Sequence, residues 1–413
     1  MADLDQTDLE QLRYVDEADV YKGGRHAATL SRVSNGIEFR YLEQWVRQGR
    51  HPVASTLPVS PATLSTPGGS LPAYFAGLLP EGRRLGPLRR AVKTSADDEL
   101  SLLLAVGADA IGDVQVVPAG LTPAEVPARV ALERIGQVRF QVLLDELGIQ
   151  AQRTALPGVQ DKTSAAMINL PVTRAGERYM LKLNPVRQFH HLVENEAFFL
   201  NAAAKSGLMV PPHELVTDAD GKPGLLIRRF DRTTVDNRPH MLAVEDGCQA
   251  AGLPPADKYR VGADRAFAAL AALCDAPAVA ARELVRQLAF AYLTGNGDAH
   301  AKNFSVVQGV DGEWRVSPAY DLPCSYLYGD RTMALSIAGR SGGELTVADF
   351  VGLGERLGLP ERSVQRALRD LADRAEAWLA ELPALPFDAG QVRKLRRVVV
   401  HRRAQLDKLS ITP

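Results

Sequence analysis

The segment 294–307, TGNGDAHAKNFSVV, most constrains the fold, because a cluster of polar side chains lies between two apolar elements. The preceding residues, QLAFAYL, continue a helical apolar pattern that starts at Val279, and FSVV after the cluster predicts a strand. A polar loop between two buried elements is either a solvated turn or a functional site. Asp298 and Asn303 have the spacing D-x-x-x-x-N of a protein-kinase catalytic loop.

In a kinase loop of this kind, the Asp accepts the proton of the substrate hydroxyl and the Asn binds magnesium that bridges the phosphates of ATP. Because Asp and Asn are also common in turns, the spacing alone is a weak indication. Two more residues lie inside this loop. We expect Lys302 to neutralise charge on the transferring phosphoryl group. His300 either orients the loop by hydrogen bonding or is a structural histidine.

The other parts of a kinase site follow in the required order. Downstream, FSVVQGVDGEWRVSPAYDLP predicts a hairpin and then Asp321, a candidate magnesium ligand whose simpler interpretation is a turn residue before Pro323. Upstream, Lys182 lies in the predicted strand of YMLKLNP among apolar neighbours, where a lysine needs a partner for its charge. Glu196 in the next predicted helix is the candidate partner, and Glu194 competes with it.

A glycine-containing segment, LPGVQDKTSAAMINL, precedes the strand that holds Lys182. After a tight turn at Pro157 and Gly158, backbone N–H groups together with Lys162 or Thr163 could hold phosphates. The segment matches neither GxGxxG nor the Walker A motif, and an ordinary turn is the simpler interpretation of it alone. The order of all the parts, and the change from a strand-rich to a helix-rich chain, favour a kinase-like phosphotransferase.

Composition restricts partners and compartment. Lys and Arg total 48 and Asp and Glu total 49, so the net charge of −1 favours no nucleic-acid or membrane partner beyond a local patch. The basic positions of the last predicted helix most often form a solvated face. Three widely spaced cysteines predict buried apolar side chains in a reducing compartment. Since neither a signal-peptide pattern nor a membrane-spanning run is found, we expect a cytoplasmic protein.

The length of 413 residues predicts two or three domains. We expect an α+β protein with an N-terminal subdomain over residues 1–125, a strand-rich lobe with the phosphate loop over 126–232, and a mostly helical lobe over 233–413. In the first part, HAATLSRVSNGIEFRY predicts two strands around a turn at Asn35 and Gly36. The proline-containing segment AGLTPAEVPARV marks the first boundary.

Two helices are predicted further along the chain. ENEAFFLNAAAKSGL predicts a helix that ends at Gly207, a residue suited to the end of a helix. SVQRALRDLADRAEAWLAEL predicts a second helix, because apolar residues recur in it at helical spacing. These residues are Val364, Ala367, Leu368, Leu371, Ala375, Trp378 and Leu379.

These motifs resemble those of the HipA family, the serine/threonine-kinase toxins of bacterial toxin–antitoxin modules. The resemblance covers nearly the whole chain, with FAGLLPEGRR and LLLAVGADAIGDVQVVP in the N-terminal part. In the kinase part it includes LPGVQDKT, YMLKLNP, RRFDR, VEDGCQAAGLPPADKY, NGDAHAKNFS and SPAYDL. The resemblance implies a two-lobed protein-kinase-like fold with an extra N-terminal subdomain, and ATP and Mg²⁺ bound between the lobes.

The resemblance also implies roles for individual residues. Asp298 is the expected catalytic base, with Lys302 as a second catalytic residue, and Asn303 and Asp321 are the expected magnesium ligands. Glu196 is expected to support Lys182. The residues expected to contact the nucleotide are Ala155, Gly158, Val159, Gln160, Asp161, Lys162, Lys182, Arg228, Arg229, Phe230, His300, Lys302, Asn303, Tyr320 and Asp321.

The family's known substrates are aminoacyl-tRNA synthetases, whose phosphorylation stops translation, and the family is linked to persistence. A small helix-turn-helix antitoxin neutralises the toxin and joins it on operator DNA. Two positions depart from the family pattern. The phosphate-loop serine that is often autophosphorylated corresponds to Ala155, which leaves Thr154 as the substitute we favour over Thr163 or Ser164. The expected hinge contacts are Arg228, Arg229 and Phe230, and the hinge position that is often acidic in the family is Arg228 here, so no acidic side chain can contact adenine from there.

Two other functions stay open. A small-molecule kinase of the same fold would use the same Asp and Asn, although the LLPEG motif of the N-terminal part resembles the toxin family specifically. A pseudokinase could instead act as a corepressor bound to operator DNA with its antitoxin. The presence of Lys182, Asp298, Asn303 and Asp321 argues against this second alternative.

Overall fold

A computed structural model describes residues 6–82, 85–123, 132–146, 167–174, 177–184, 189–342 and 344–407. Over these ranges the chain forms an N-terminal subdomain, a strand-rich lobe and a mostly helical lobe, which confirms the predicted α+β arrangement. The predicted bounds of the three parts stay predictions. Within the described ranges, no helix combines the length and apolar character needed to cross a bilayer.

The N-terminal subdomain is an antiparallel five-stranded sheet in the order β4-β3-β2-β1-β5, with short helices packed on it. Its strands are β1 Glu17–Lys22, β2 Arg25–Val33, β3 Gly36–Tyr41, β4 Leu64–Pro67 and β5 Val114–Pro118. Its helices are α1 Gln6–Gln11, α2 Glu43–Arg47, α3 Ala73–Gly77, α4 Leu85–Val92 and α5 Glu99–Val106. Leu30, Phe39, Phe75 and Leu100 lie in its apolar core.

The predicted hairpin is confirmed, with its turn one residue earlier than expected. Val33 pairs with Gly36, so Ser34 and Asn35 form the loop and Gly36 begins β3. The glycine is required by a close approach, since a Cβ at Gly36 would lie 1.8 Å from the carbonyl oxygen of Thr66 on β4.

The strand-rich lobe contains a four-stranded antiparallel sheet in the order β6-β7-β9-β8. Its strands are β6 Ile168–Arg174, β7 Glu177–Leu183, β8 His213–Thr217 and β9 Pro223–Arg228, and its helices are α6 Phe140–Glu146 and α7 Leu192–Lys205. Successive side chains of a strand point to opposite faces, so Lys182 faces away from its buried neighbours Leu181 and Leu183. Gly207 follows α7 with φ +76°, as predicted for the end of this helix.

The helical lobe is built around one long buried helix. A short hairpin, β10 Arg232–Val235 and β11 Arg238–Met241, leads to a three-stranded sheet of β12 Val244–Asp246, β13 Ser305–Gln308 and β14 Trp314–Val316. The helices are α8 Gly247–Ala250, α9 Ala263–Leu273, α10 Pro277–Thr294, α11 Val347–Arg356, α12 Glu361–Arg374, α13 Glu376–Leu379 and α14 Ala389–Asp407. Residues 287–294 of the central helix α10 are all buried.

Two further predictions about this lobe are confirmed. The apolar helical face of α12 and α13 is buried, and its residues are Val364, Ala367, Leu368, Leu371, Ala375, Trp378 and Leu379. The predicted single helix is, however, interrupted at Ala375. Cys248, Cys274 and Cys324 are buried and carry free thiols, as expected for apolar core residues.

Candidate active site

The predicted catalytic loop begins where α10 ends. Pro277 starts this helix at a position that suits proline, and Gly295 ends it with φ +75° in the left-handed region. A Cβ at Gly295 would also lie 2.8 Å from the Cβ of Tyr326, so glycine is needed for space as well as for conformation. The chain then turns through the polar cluster and enters β13, as the sequence predicts.

Asp298 is buried within this loop. Its backbone N–H donates to Asn296 Oδ1 at 3.1 Å, and its Oδ1 accepts from the Tyr259 hydroxyl at 2.9 Å. Asn296 also donates from Nδ2 to the carbonyl oxygen of Asp321 at 3.1 Å. The amide of Asn296 therefore joins the two loops that carry the expected base and the expected second magnesium ligand. The carboxylate of Asp298 is held by a tyrosine from another segment.

The sequence pattern singles out neither Asn296 nor Tyr259. Both lie in strings that carry the family resemblance, NGDAHAKNFS and VEDGCQAAGLPPADKY. An asparagine beside a catalytic aspartate, and a tyrosine in a polar segment, are the signals that could have identified them.

Asn303 and Asp321, the two expected magnesium ligands, are in direct contact. Asn303 Nδ2 donates to Asp321 Oδ2 at 2.6 Å, and Asn303 Oδ1 accepts from the backbone N–H of His300 at 3.1 Å. Asp321 has φ +56°, a conformation that is uncommon outside glycine and clusters at functional sites. The structure thus brings the two predicted magnesium ligands together, one from each loop.

Lys182 lies between two carboxylates. Its Nζ is 2.7 Å from Glu196 Oε1 and 3.0 Å from Asp321 Oδ1. Burial raises the pKa of Glu196 to about 7, against the opposing effect of Lys182. Burial would lower the pKa of Lys182, but the two carboxylates outweigh it and raise this pKa. Burial would raise the pKa of Asp321, but the charge of Lys182 outweighs it and lowers this pKa. The competing residue Glu194 contacts His191 at 3.0 Å instead, so the structure selects Glu196 as the partner.

His300 packs edge-on against Tyr259, with ring centroids 5.1 Å apart. Burial, and then the nearby charge of Lys258, lowers the pKa of His300 to about 3. The imidazole is therefore neutral at physiological pH, and its Nδ1 has no hydrogen-bond partner among the described residues. The backbone N–H of His300, rather than its Nδ1, makes the link to Asn303. The predicted nucleotide contact of His300 stays a prediction.

The side chain of Lys302 faces the N-terminal subdomain. Its Nζ lies 2.8 Å from Glu81 Oε1, donates to the Gly77 carbonyl at 2.8 Å and lies 3.8 Å from Asp246 Oδ2. The ammonium is therefore neutralised by carboxylates of the protein in this structure. The expected action of Lys302 on a transferring phosphoryl group stays a prediction.

The predicted hinge residues have different environments. Arg228 pairs with Glu177 across β9 and β7 at 2.7 Å and is partly exposed. The Phe230 ring stacks on Tyr320, with centroids 5.6 Å apart and planes inclined by 30°. The hydroxyl of Tyr320 donates to the Lys302 carbonyl at 2.8 Å, which connects the hinge to the catalytic loop.

Arg229 has a structural environment that the sequence does not reveal. Its guanidinium donates to Asp231 through Nε at 3.0 Å and through Nη2 at 2.8 Å, and to Asp109 through Nη1 at 2.9 Å. The side chain thus joins the strand-rich lobe to the N-terminal subdomain. The backbone N–H of Arg229 also donates, to the Arg178 carbonyl at 3.0 Å, and its predicted nucleotide contact stays a prediction.

The phosphate-loop residues lie outside the described residues, so their predicted roles stay predictions. They are Thr154, Ala155, Gly158, Val159, Gln160, Asp161 and Lys162, together with the alternatives Thr163 and Ser164.

The donor set of the two loops fits magnesium. Asp321 has a carboxylate, and the amide oxygen of Asn303, which accepts from the His300 N–H, keeps a second lone pair. Both are oxygen ligands of the kind that magnesium takes. Magnesium in a kinase uses few protein ligands and is completed by substrate phosphates and water. The arrangement can hold a cation near Lys182, beside a buried carboxylate that could accept a proton.

Comparison with known proteins identifies relatives along almost the entire chain. Residues 154–379 match the family model of the HipA-like C-terminal domain, and residues 18–117 match that of the HipA N-terminal domain. The candidate kinase Y4mE of Sinorhizobium fredii is 30% identical over 95% of this chain and 99% of its own length. The serine/threonine-protein kinase toxin HipA of Shewanella oneidensis is 26% identical over 89% of this chain and 88% of its own.

A solved structure shows the same fold. The matched chain of the Shewanella oneidensis complex of HipA, HipB and operator DNA has a TM-score of 0.73 and 22% sequence identity. The match covers 94% of the present chain and 96% of that chain. The predicted two-lobed, kinase-like fold with an added N-terminal subdomain is thereby confirmed.

Proposed function

Because the chain belongs to the HipA family, we propose that it is an ATP-dependent serine/threonine protein kinase and the toxin of a toxin–antitoxin module. The observation that carries the proposal is the contact of Lys182 with both Glu196 and Asp321, while Asp321 contacts Asn303. These residues come from a strand, a helix and two separate loops. A merely structural turn at Asp321 would not require a buried lysine from another lobe.

Each residue has a proposed part in phosphoryl transfer. Asp298 accepts the proton of the substrate hydroxyl as the oxygen attacks the terminal phosphorus of ATP, the bond from that phosphorus to the bridging oxygen breaks, and ADP leaves. Lys182 is positioned by Glu196 to contact the phosphates. Asn303 and Asp321 would hold magnesium, which neutralises phosphate charge when it is bound. The contact between Tyr259 and Asp298 keeps the base in place.

The finer assignments rest on relatives. Serine/threonine specificity and toxicity are proposed because the Shewanella relative is named a serine/threonine-protein kinase toxin. A small helix-turn-helix antitoxin is the proposed partner, with operator DNA reached mainly through it, because the Shewanella structure contains HipA, HipB and operator DNA. The proposed substrate is an aminoacyl-tRNA synthetase, and its phosphorylation would inhibit translation in the cytoplasm. This substrate comes from the family resemblance alone.

Phosphate transfer in lysate tests the proposal. Purified protein is incubated with ATP and magnesium in bacterial lysate depleted of endogenous nucleotides, and proteins and metabolites are both analysed by mass spectrometry. New phosphoserine or phosphothreonine that is absent with Asp298→Asn supports the protein kinase. Phosphorylated metabolites without phosphorylated proteins would favour a small-molecule kinase. Tight magnesium–ATP binding without any transfer would favour a pseudokinase corepressor.

A further inference from the structure

We propose that Glu81, supplied by the N-terminal subdomain, is a positioning residue for the catalytic loop and for the segment that holds its base. The inference rests on the proposed kinase function and adds a dependence of that activity on a subdomain that lacks the expected catalytic residues. Glu81 lies in the LLPEG motif, beyond the end of α3.

A single carboxylate contacts two lysines from different segments. Glu81 Oε1 lies 2.8 Å from Lys302 Nζ, and Glu81 Oε2 contacts Lys258 Nζ. The lysine side chains are only 14% and 17% exposed, so water compensates little of their charge. Burial opposes ionisation of Glu81, but the two ammonium groups lower its pKa, and the carboxylate is charged at neutral pH.

Both lysines lead directly to the expected base. Lys302 belongs to the loop of Asp298, and Lys258 precedes Tyr259, whose hydroxyl donates to Asp298 Oδ1 at 2.9 Å. The Ala301 N–H also donates to the Lys258 carbonyl at 3.2 Å, so the two segments are adjacent. Glu81 therefore fixes the distance between the base and the tyrosine that holds it.

Loss of the Glu81 charge has a local electrostatic consequence. The mostly buried ammonium groups of Lys302 and Lys258 would then repel each other. Among the described residues, the carboxylate that remains beside Lys302 would be that of Asp246, at 3.8 Å. We expect the two segments to shift relative to each other. A shift of the order of 1 Å can lower a catalytic rate by about a hundredfold.

Other contacts also hold the N-terminal subdomain against the rest of the chain. Ser55 donates from Oγ to Glu245 Oε2 at 2.5 Å, Gln249 Nε2 donates to the Tyr74 carbonyl at 2.9 Å, and Asp109 binds Arg229. These contacts would remain in a Glu81 variant. Positioning by Glu81 can thus be tested without detaching the subdomain.

The test compares Glu81→Gln, which keeps the shape and removes the charge, with Glu81→Asp, which keeps the charge. Glu38→Gln is the matched control, because Glu38 lies on β3 and contacts Ser65 instead of the catalytic loop. Hydrogen exchange of the full-length proteins is measured over 256–260 and 296–304. We then measure, at saturating ATP, the rate at which each variant transfers labelled γ-phosphate to the lysate proteins that the wild type labels. ATP affinity is measured by titration.

We expect Glu81→Gln to speed exchange in both segments and to slow transfer by about tenfold to a hundredfold, with ATP affinity unchanged within about twofold. Glu81→Asp should recover part of the rate, and Glu38→Gln should match the wild type. Wild-type exchange in Glu81→Gln would overturn the proposal, as would a wild-type transfer rate. If the wild type labels no protein, the kinase function fails, and the exchange data still decide the positioning role.

Discussion

The buried ion cluster between the N-terminal subdomain and the strand-rich lobe gives a quantitative prediction for Asp231→Asn. The Asp231 carboxylate accepts from Arg229 at 2.8 and 3.0 Å, from Arg232 Nη1 at 2.7 Å and from the Gly112 backbone N–H at 2.9 Å. Asp231 is 2% exposed. In the variant, Asp109 is the carboxylate left for both guanidinium groups among the described contacts.

Removal of one partner from a buried ion pair costs about 3–5 kcal/mol. Asparagine retains one oxygen that can accept a bond, so we expect the lower end, about 3 kcal/mol, or roughly a hundredfold in the unfolding equilibrium. Burial alone would raise the pKa of Asp231, but the charge of Arg229 outweighs this effect and lowers the pKa. The stabilisation is therefore present above the unfolded-state pKa and is lost only as the pH falls through the lower folded-state value. At pH 7 it is fully present.

Urea unfolding at pH 7, followed by tryptophan fluorescence, measures this effect. Trp45 reports on the N-terminal subdomain, and Trp314 and Trp378 report on the helical lobe. The midpoint of urea unfolding of Asp231→Asn should move to a lower urea concentration than that of the wild type. Asp311→Asn is the control, because its ion pair with Arg315 is exposed and its loss should leave the midpoint unchanged. Equal midpoints for Asp231→Asn and the control would refute the role assigned to the cluster.

Three further predictions concern the nucleotide site. Asp321→Ala should sharply reduce ATP affinity in titrations with magnesium, with partial recovery at high magnesium; unchanged affinity would make Asp321 a turn residue only. Lys182→Ala should slow phosphoryl transfer more than Glu196→Ala does. In a double-mutant cycle the two effects on the rate should be non-additive, because the side chains form one ion pair. Additive effects would show that the two residues act independently. If Thr154 replaces the missing serine, phosphosite mapping during incubation with ATP should show phosphate on Thr154 as activity falls. A kinase that stays active and carries no phosphate on Thr154, Thr163 or Ser164 would contradict this.

Local pattern was sufficient to predict several parts of the site. A lysine among apolar strand residues needs a buried partner, and the structure supplies Glu196. The sequence could not decide between Glu194 and Glu196, because both lie in the helix that follows the strand. Residues two apart point to different sides of a helix, so only the packing of α7 shows which carboxylate faces Lys182.

Long-range pairing could not be read from the sequence. Lys302 contacts Glu81, and Arg229 contacts Asp109, across large separations along the chain. No local periodicity connects such partners. The sequence therefore predicted a phosphate contact for Lys302 and a hinge contact for Arg229. The structure shows both side chains in ion pairs with the N-terminal subdomain. The first hairpin was predictable because turn and strand signals are local, although its turn lies at Ser34 and Asn35 instead of Asn35 and Gly36.

The rate of γ-phosphate transfer by Asp298→Asn, measured together with its ATP affinity, tests the kinase mechanism most directly. The amide oxygen of asparagine can still accept the hydrogen bond from Tyr259, so the fold should be preserved. Transfer from labelled ATP to the lysate proteins that the wild type labels should fall by at least about two orders of magnitude, because the proton acceptor is lost. ATP should bind nearly as tightly as to the wild type. A transfer rate within a few-fold of the wild type would contradict the assignment of Asp298 as the base.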